Sequence, residues 1–210
     1  MKRFPFSLIL FLARLPVGPF RWIGSFLMAN SSVIWSMSGF RHLACRWCPS
    51  LHTFFFSIGE LTITLEDVVN NLLLPMFGDE NPFDINLSND DLEVEDKLFS
   101  HFNGRTASPS RKPTRMGKWV MNLYREKDKA VRRARFLALW LNKFLFSEFP
   151  EYGVKFVFFP LAIRLAQGAQ CPLAPMFLGH FYFQLDLLHG DEVEGNSCYT
   201  ITSSLHCAIL

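Results

Sequence analysis

Phenylalanine constrains this chain more than any other feature: 23 of its 210 residues are Phe. Side chains of that size carry apolar area that water rejects, so the chain must bury a sizeable core and cannot stay unfolded as a whole. Half of the residues are hydrophobic and only 19% are charged, below the usual quarter. The length suits one domain of ordinary size with tails. A net charge of +2 gives little support for a nucleic-acid partner. The charge is nonetheless placed in blocks. No Asp or Glu precedes Glu60, acids gather over 79–96, bases over 105–135, and acids return over 186–194. Such blocks can shape local surface fields, but more often they are solvated faces.

The first 42 residues carry several readings and none is decisive. Lys2 and Arg3 precede an apolar run over 4–13, the order of a signal peptide, but Arg14 closes it and no small-x-small site follows at once. The acid-poor, Arg- and Ser-bearing stretch also suits an organelle transit peptide. Residues 22–40 are uncharged, yet Asn30, Ser31, Ser32, Ser36 and Ser38 weaken their case as a membrane span. The remaining reading is an extension that arises from an unreliable start site.

The sequence predicts a mainly α, single helical domain with a small N-terminal β-hairpin. Residues 52–57 are β-prone, Ile58 and Gly59 offer a turn, and 60–64 alternate polar with apolar. Thr64 caps the next helix, with Asp67 completing a capping box. Leu65, Val68, Val69, Leu72 and Leu73 give that helix one apolar face, and Pro75 ends it. Ser88 with Asp91 predicts a second helix, stopped by Asn103 and Gly104. Residues 105–115 read as a loop. A long helix from Asp128 has a basic first part and a second part apolar on nearly all sides, which implies deep burial. Residues 154–159 are a β-branched and aromatic run, Pro160 suits the first turn of a short helix ended by Gly168, and 176–188 form a last helix before an acidic 190–195 loop.

Several segments resemble one family. They are Arg46 and Trp47, His52-Thr53-Phe54, and the run Gly59-Glu60-Leu61-Thr62-Ile63-Thr64-Leu65-Glu66-Asp67-Val68. Next come Arg133-Ala134-Arg135-Phe136-Leu137-Ala138-Leu139-Trp140-Leu141, and Phe159-Pro160-Leu161-Ala162-Ile163 with Gly168. Leu173-Ala174-Pro175-Met176-Phe177-Leu178-Gly179 and Gln184-Leu185-Asp186 follow, and then 195–210. In this order they resemble the plant mobile domain, also called the aminotransferase-like plant mobile domain. The resemblance runs from about Leu43 to Leu210, with a less similar middle over 81–121, so 43–210 is expected to be that domain, incomplete at its C-terminal end. It implies a helical fold with a small hairpin and a history in transposable elements. It further implies nuclear relatives tied to meristem maintenance, genome stability and silencing of repeats, with protein partners in silencing or phosphatase-type complexes. A membrane partner is not expected.

The residues themselves point to no reaction. A pyridoxal-phosphate enzyme needs a Schiff-base lysine beside a Gly- and Ser-rich phosphate cup. Lys112, Lys118, Lys143 and Lys155 lack that setting. A two-metal transposase needs clustered carboxylates. Asp90, Asp91, Glu93, Glu95 and Asp96 are acidic, but at a helix start such groups favour the helix dipole. Cys45 and Cys48 with His52 look like half a zinc site, to which His206 and Cys207 could add, but two unrelated thiols are the simpler reading. No catalytic residue, cofactor or metal is therefore expected. The best candidates for nucleic-acid or partner contact are Arg105, Arg111, Lys112, Arg115, Lys118, Arg125, Arg132 and Arg133. Trp119 and Tyr124 interleave with these bases, which suits stacking on single strands or an amphipathic helix with its aromatics turned inward.

Overall fold

Two helices begin where short polar side chains can satisfy the orphan N–H groups of a first turn. The computed structural model describes residues 44–100, 114–147 and 153–195. In it Thr64 and Ser88 each close a reciprocal capping box, opening α1 (Leu65–Leu72) and α2 (Asn89–Phe99). Thr64 N donates to Asp67 Oδ2 at 2.8 Å, and Asp67 N donates back to Thr64 Oγ1 at 3.3 Å. Four further helices follow: α3 (Met116–Arg125), α4 (Lys129–Trp140), α5 (Phe159–Ala166) and α6 (Leu173–Val193). Asp128 caps α4 by accepting from Ala130 N at 3.0 Å. The chain then widens into a π turn over Leu141–Leu145, where Phe146 N donates to Leu141 O.

The hairpin pairs β2 (Thr53–Phe56) with β3 (Gly59–Leu61), and a third strand, β1 (Trp47–Cys48), lies on the other side of β2. All pairs are antiparallel, with Trp47 opposite Phe54 and Phe54 opposite Leu61. Opposed residues share a face, so these three lie on one side of the sheet. A separate two-stranded pair joins β4 (Thr114–Arg115) to β5 (Gly153–Val154).

The core lies where α4 and α5 pack on each other with α2 and α3 around them, and α6 packs on α1 and β1. Trp119, Phe159, Phe177, Phe181, Leu123 and Leu141 are among its fully buried side chains. Arg135 is buried with them. Its guanidinium donates to the carbonyls of Asn122 and Lys97, pairs with Glu126 at 3.4 Å and lies 5.6 Å from the Trp119 ring centre. Burial lowers its pKa, and Glu126 partly opposes that. Arg135 stays charged in the core because carbonyls, a carboxylate and a ring face replace the water it gave up.

Three sequence expectations are corrected. Residues 105–115 are not a loop throughout: Thr114–Arg115 form β4 against Gly153–Val154, after which Phe156–Phe158 form a 3-10 turn and Phe159 already opens α5. Pro160 sets a helical φ in that first turn and draws the preceding aromatics into it. The acidic 190–195 segment continues α6 to Val193, and Gly195 at φ 72° takes the left-handed position after it. Helix α2 ends at Phe99, short of the stop expected at Asn103 and Gly104, which lie outside the described residues.

Candidate functional site

Two of the segments that carry the resemblance, the one over 46–68 and the one ending at Asp186, meet where the sheet docks on α6. Trp47 is buried at the sheet's inner face, and its indole N–H donates to Asp186 Oδ1 at 2.7 Å. His52 holds a left-handed backbone (φ 52°) in the turn that follows β1. That geometry stacks its ring on Tyr182 at 4.9 Å and near Trp47 at 5.9 Å, with Nε2 3.8 Å from Asp186 Oδ2. Tyr182 OH donates to the Ile63 carbonyl at 2.5 Å, and Thr62 Oγ1 donates to the His52 carbonyl at 2.6 Å. Tyr182 and Asp186 are one helical turn apart, so both point from one face of α6. Beyond them His189 Nδ1 lies 2.9 Å from the Ala44 carbonyl. The result is a polar and aromatic knot that fixes the sheet to the helix. Its hydroxyls are spent on backbone carbonyls, and Asp186 accepts from the indole with the imidazole close by.

The sequence reading quoted Trp47, His52, Thr62 and Asp186 but missed Tyr182, because a contact spanning 119 residues leaves no local pattern. It also missed Arg135 and Asn142 as structural centres. Asn142 Nδ2 donates to the Ala138 carbonyl at 2.7 Å and to the Lys155 carbonyl at 3.3 Å, while its Oδ1 accepts from Lys155 N at 2.7 Å.

The basic candidates are not gathered into one place. Arg105, Arg111 and Lys112 lie outside the described residues, and Arg115 is described only as part of β4. Lys118 and Arg125 are exposed on α3, and Arg132 and Arg133 are half-buried on α4. Trp119 is fully buried, with its indole donating to the Arg135 carbonyl at 2.9 Å. It therefore cannot stack on a base, and α3 is the amphipathic helix of the two readings. Tyr124 remains exposed beside Arg125.

Each thiol of the Cys45/Cys48 pair has a local partner: Cys45 Sγ lies 3.6 Å from Glu192 Oε1, and Cys48 Sγ lies 3.3 Å from Ser50 Oγ. Hydrogen bonds from Ser50 and from the backbone hold the Cys48 pKa below its usual value. Among the described residues no three His, Cys, Asp or Glu side chains converge as metal ligands. His206 and Cys207 lie outside them. The α2 carboxylates also do separate jobs. Asp91 is buried and caps the helix, Glu95 is half-buried with its pKa raised by burial and by Asp96, and Asp90, Glu93 and Asp96 face water. Lys118 is exposed, Lys143 and Lys155 are half-buried, and Lys112 lies outside the described residues. No helix among the described residues is long and apolar enough to cross a membrane. The 22–40 stretch lies outside them.

A sequence model of the plant mobile domain matches residues 23–206. The chain belongs to the plant mobile domain family. The match takes in all the described strands and helices, and it begins upstream of Leu43, where the quoted resemblance starts. The plant mobile domain is transposon-related, and here it is mainly α with a three-stranded antiparallel sheet near its N-terminal end. No curated protein and no solved structure matches the chain.

Proposed function

We propose that this plant mobile domain is a non-catalytic interaction module of a nuclear protein, acting through protein contacts in silencing of repeats and meristem maintenance. The observation that supports this reading is the use made of the family-like residues. Trp47, His52, Thr62 and Asp186 are occupied at the junction of sheet and α6, and Thr64 and Asp67 in capping α1. Residues that build a rigid frame suit a module that presents its surface to partners. The test is recovery of proteins crosslinked to the tagged chain in plant nuclei, with and without nuclease. Partners that persist after nuclease treatment are expected. Loss of all partners on nuclease treatment would overturn the reading.

The alternative is a nucleic-acid-binding piece of a transposable-element protein. The exposed side of α3, with Lys118, Tyr124 and Arg125, favours it. A salt titration of DNA and RNA binding separates the two, since phosphate contacts give a steep loss of affinity with salt. Pyridoxal-phosphate absorbance of the purified chain tests an enzymatic reading.

A further inference from the structure

Between the C-cap of α1 and the N-cap of α2 the chain runs from Leu73 to Ser88 without a helix or strand. Irregular loops beyond about 12–15 residues are uncommon in compact domains, and usually they are either functional or loose linkers. This one is pinned to the domain. The Pro75 carbonyl accepts from Ala174 N at 3.0 Å, and Glu80 N donates to the Gln170 carbonyl at 3.2 Å. Gly78 passes so close to residue 170 that a Cβ there would sit 2.3 Å from the Gln170 oxygen. Arg164 grips Glu80 with two bonds, Nε to Oε1 at 2.8 Å and Nη2 to Oε2 at 3.0 Å. Leu74 is buried, and Ile85 and Leu87 pack against the core.

On this fixed strap two large apolar side chains face outward: Phe77 is 79% exposed and Phe83 is 85% exposed. Their exposure does not come from a slack loop, because the backbone on both sides is tied down. Fixed aromatic side chains make efficient anchors, since little ordering remains to oppose binding. The surround names the occupant. Residues 73–96 contain no Lys or Arg. Glu80 and Asp91 are engaged within the domain, whereas Asp79, Asp84, Asp90, Glu93 and Asp96 are exposed. Two apolar anchors on a strap whose exposed charges, Asp79 and Asp84, are both acidic complement apolar pockets rimmed by Lys and Arg.

We propose that the 73–88 strap is the recognition loop of this module, and that it docks on a basic protein surface by inserting Phe77 and Phe83 into apolar pockets. This rests on the interaction-module reading and adds the partner's chemistry to it.

The test uses the intact chain and two fluorescent synthetic peptides, one alternating Leu with Lys and one alternating Leu with Glu, titrated by anisotropy. Binding of the Leu–Lys peptide alone is expected, weakening with salt. The double variant Phe77→Ser with Phe83→Ser should bind about tenfold or more weakly at an unchanged melting temperature. Asp79→Asn with Asp84→Asn should flatten the salt dependence. Equal binding of the two peptides, or wild-type affinity in the Phe double variant, would overturn the proposal. So would concentration-dependent self-association that the Phe double variant abolishes, because the occupant would then be a second copy. The nuclear crosslinking separates the two levels. If the Phe double variant recovers the same nuclease-resistant partners, only the strap proposal fails; if the wild-type chain recovers none, the module reading fails.

Discussion

Asn142 offers the sharpest test of how this fold is held, because one buried amide ties two elements that share no regular bonding. It sits in the π turn after α4 and is 4% exposed. Its three bonds run to the Ala138 carbonyl and to both backbone groups of Lys155, the residue that leads into α5. Asn142→Ala removes all three and leaves the Lys155 N–H without its side-chain acceptor. Ordinary bonds are worth about 1 kcal/mol each, and a stranded buried donor costs about 1–3 kcal/mol. The expected loss is therefore about 2–4 kcal/mol, read from urea unfolding midpoints at constant slope. Asn142→Asp probes the donor side alone. A carboxylate there still accepts from Lys155 N, but it faces the Ala138 and Lys155 carbonyls with no proton to give. Burial and those oxygens should raise its folded pKa above the unfolded value. A raised carboxylate pKa makes the protonated form the native one, so the variant gains stability relative to wild type as pH falls through that value. The gap between the Asn142→Asp variant and wild type should thus narrow as pH falls toward the unfolded carboxylate value. A loss below about 0.5 kcal/mol in the Ala variant, or an unchanged gap in the Asp variant, would refute the pinning argument.

Thr64→Ala should cost about 1 kcal/mol through loss of the α1 cap, and an unchanged unfolding midpoint would show that the box contributes nothing. Gly78→Ala should cost more than about 1 kcal/mol, because the Gln170 carbonyl occupies the place of the new methyl group; wild-type stability would show that the strap yields. Trp47→Phe should lose both the bond to Asp186 and part of the ring packing on Phe54 and Tyr182, more than about 1 kcal/mol by thermal or urea unfolding, and a stability equal to wild type would remove this junction from the account. Four carboxyls are held below their usual range: Asp67 by the Thr64 N–H and hydroxyl, Glu80 by Arg164, Asp128 by Lys97, and Asp91 because its burial, which acts upward, is outweighed by bonds from Ser88 and Gln167. Depressed folded pKa values give stability that is present above the unfolded values and is lost as pH falls through the folded ones. Midpoints should therefore fall from about pH 5 downward, slightly offset by Glu95, and a flat profile to about pH 3 would contradict these bonds.

Local chemistry was legible and distant contact was not. Thr64 with Asp67, Ser88 with Asp91, and Asp128 each announce a helix within four residues, so those starts could be read from the sequence. The hairpin could be read from 52–64 for the same reason. Strand β1 is two residues long, too short for alternation to show. The 154–159 run has strand composition, but its fate was decided by Pro160 and by burial of Phe159 against Trp119 at 5.4 Å, a contact that no window reveals. At the candidate site, Trp47, His52 and Asp186 were recognisable as shared residues, but what they do there was not. The basic block 105–135 was visible as charge, while the inward turn of Trp119 and the burial of Arg135 depended on which side of each helix met the core.

The knot between sheet and α6 shows why a family-like pattern can be architectural. The Trp47–Asp186 bond closes a loop of 139 residues and the Tyr182–Ile63 bond one of 119. Loop-closure entropy grows only with the logarithm of length, so a tie across most of the domain costs little more than a short one. What such a tie demands is specificity, since the sheet has few residues with which to choose its docking site. Here that specificity comes from a left-handed His52, which presents its ring and its carbonyl in directions an extended residue could not match. Substituting any one partner leaves the others aimed at an empty position. The frame therefore depends on Trp47, His52, Thr62, Tyr182 and Asp186 together.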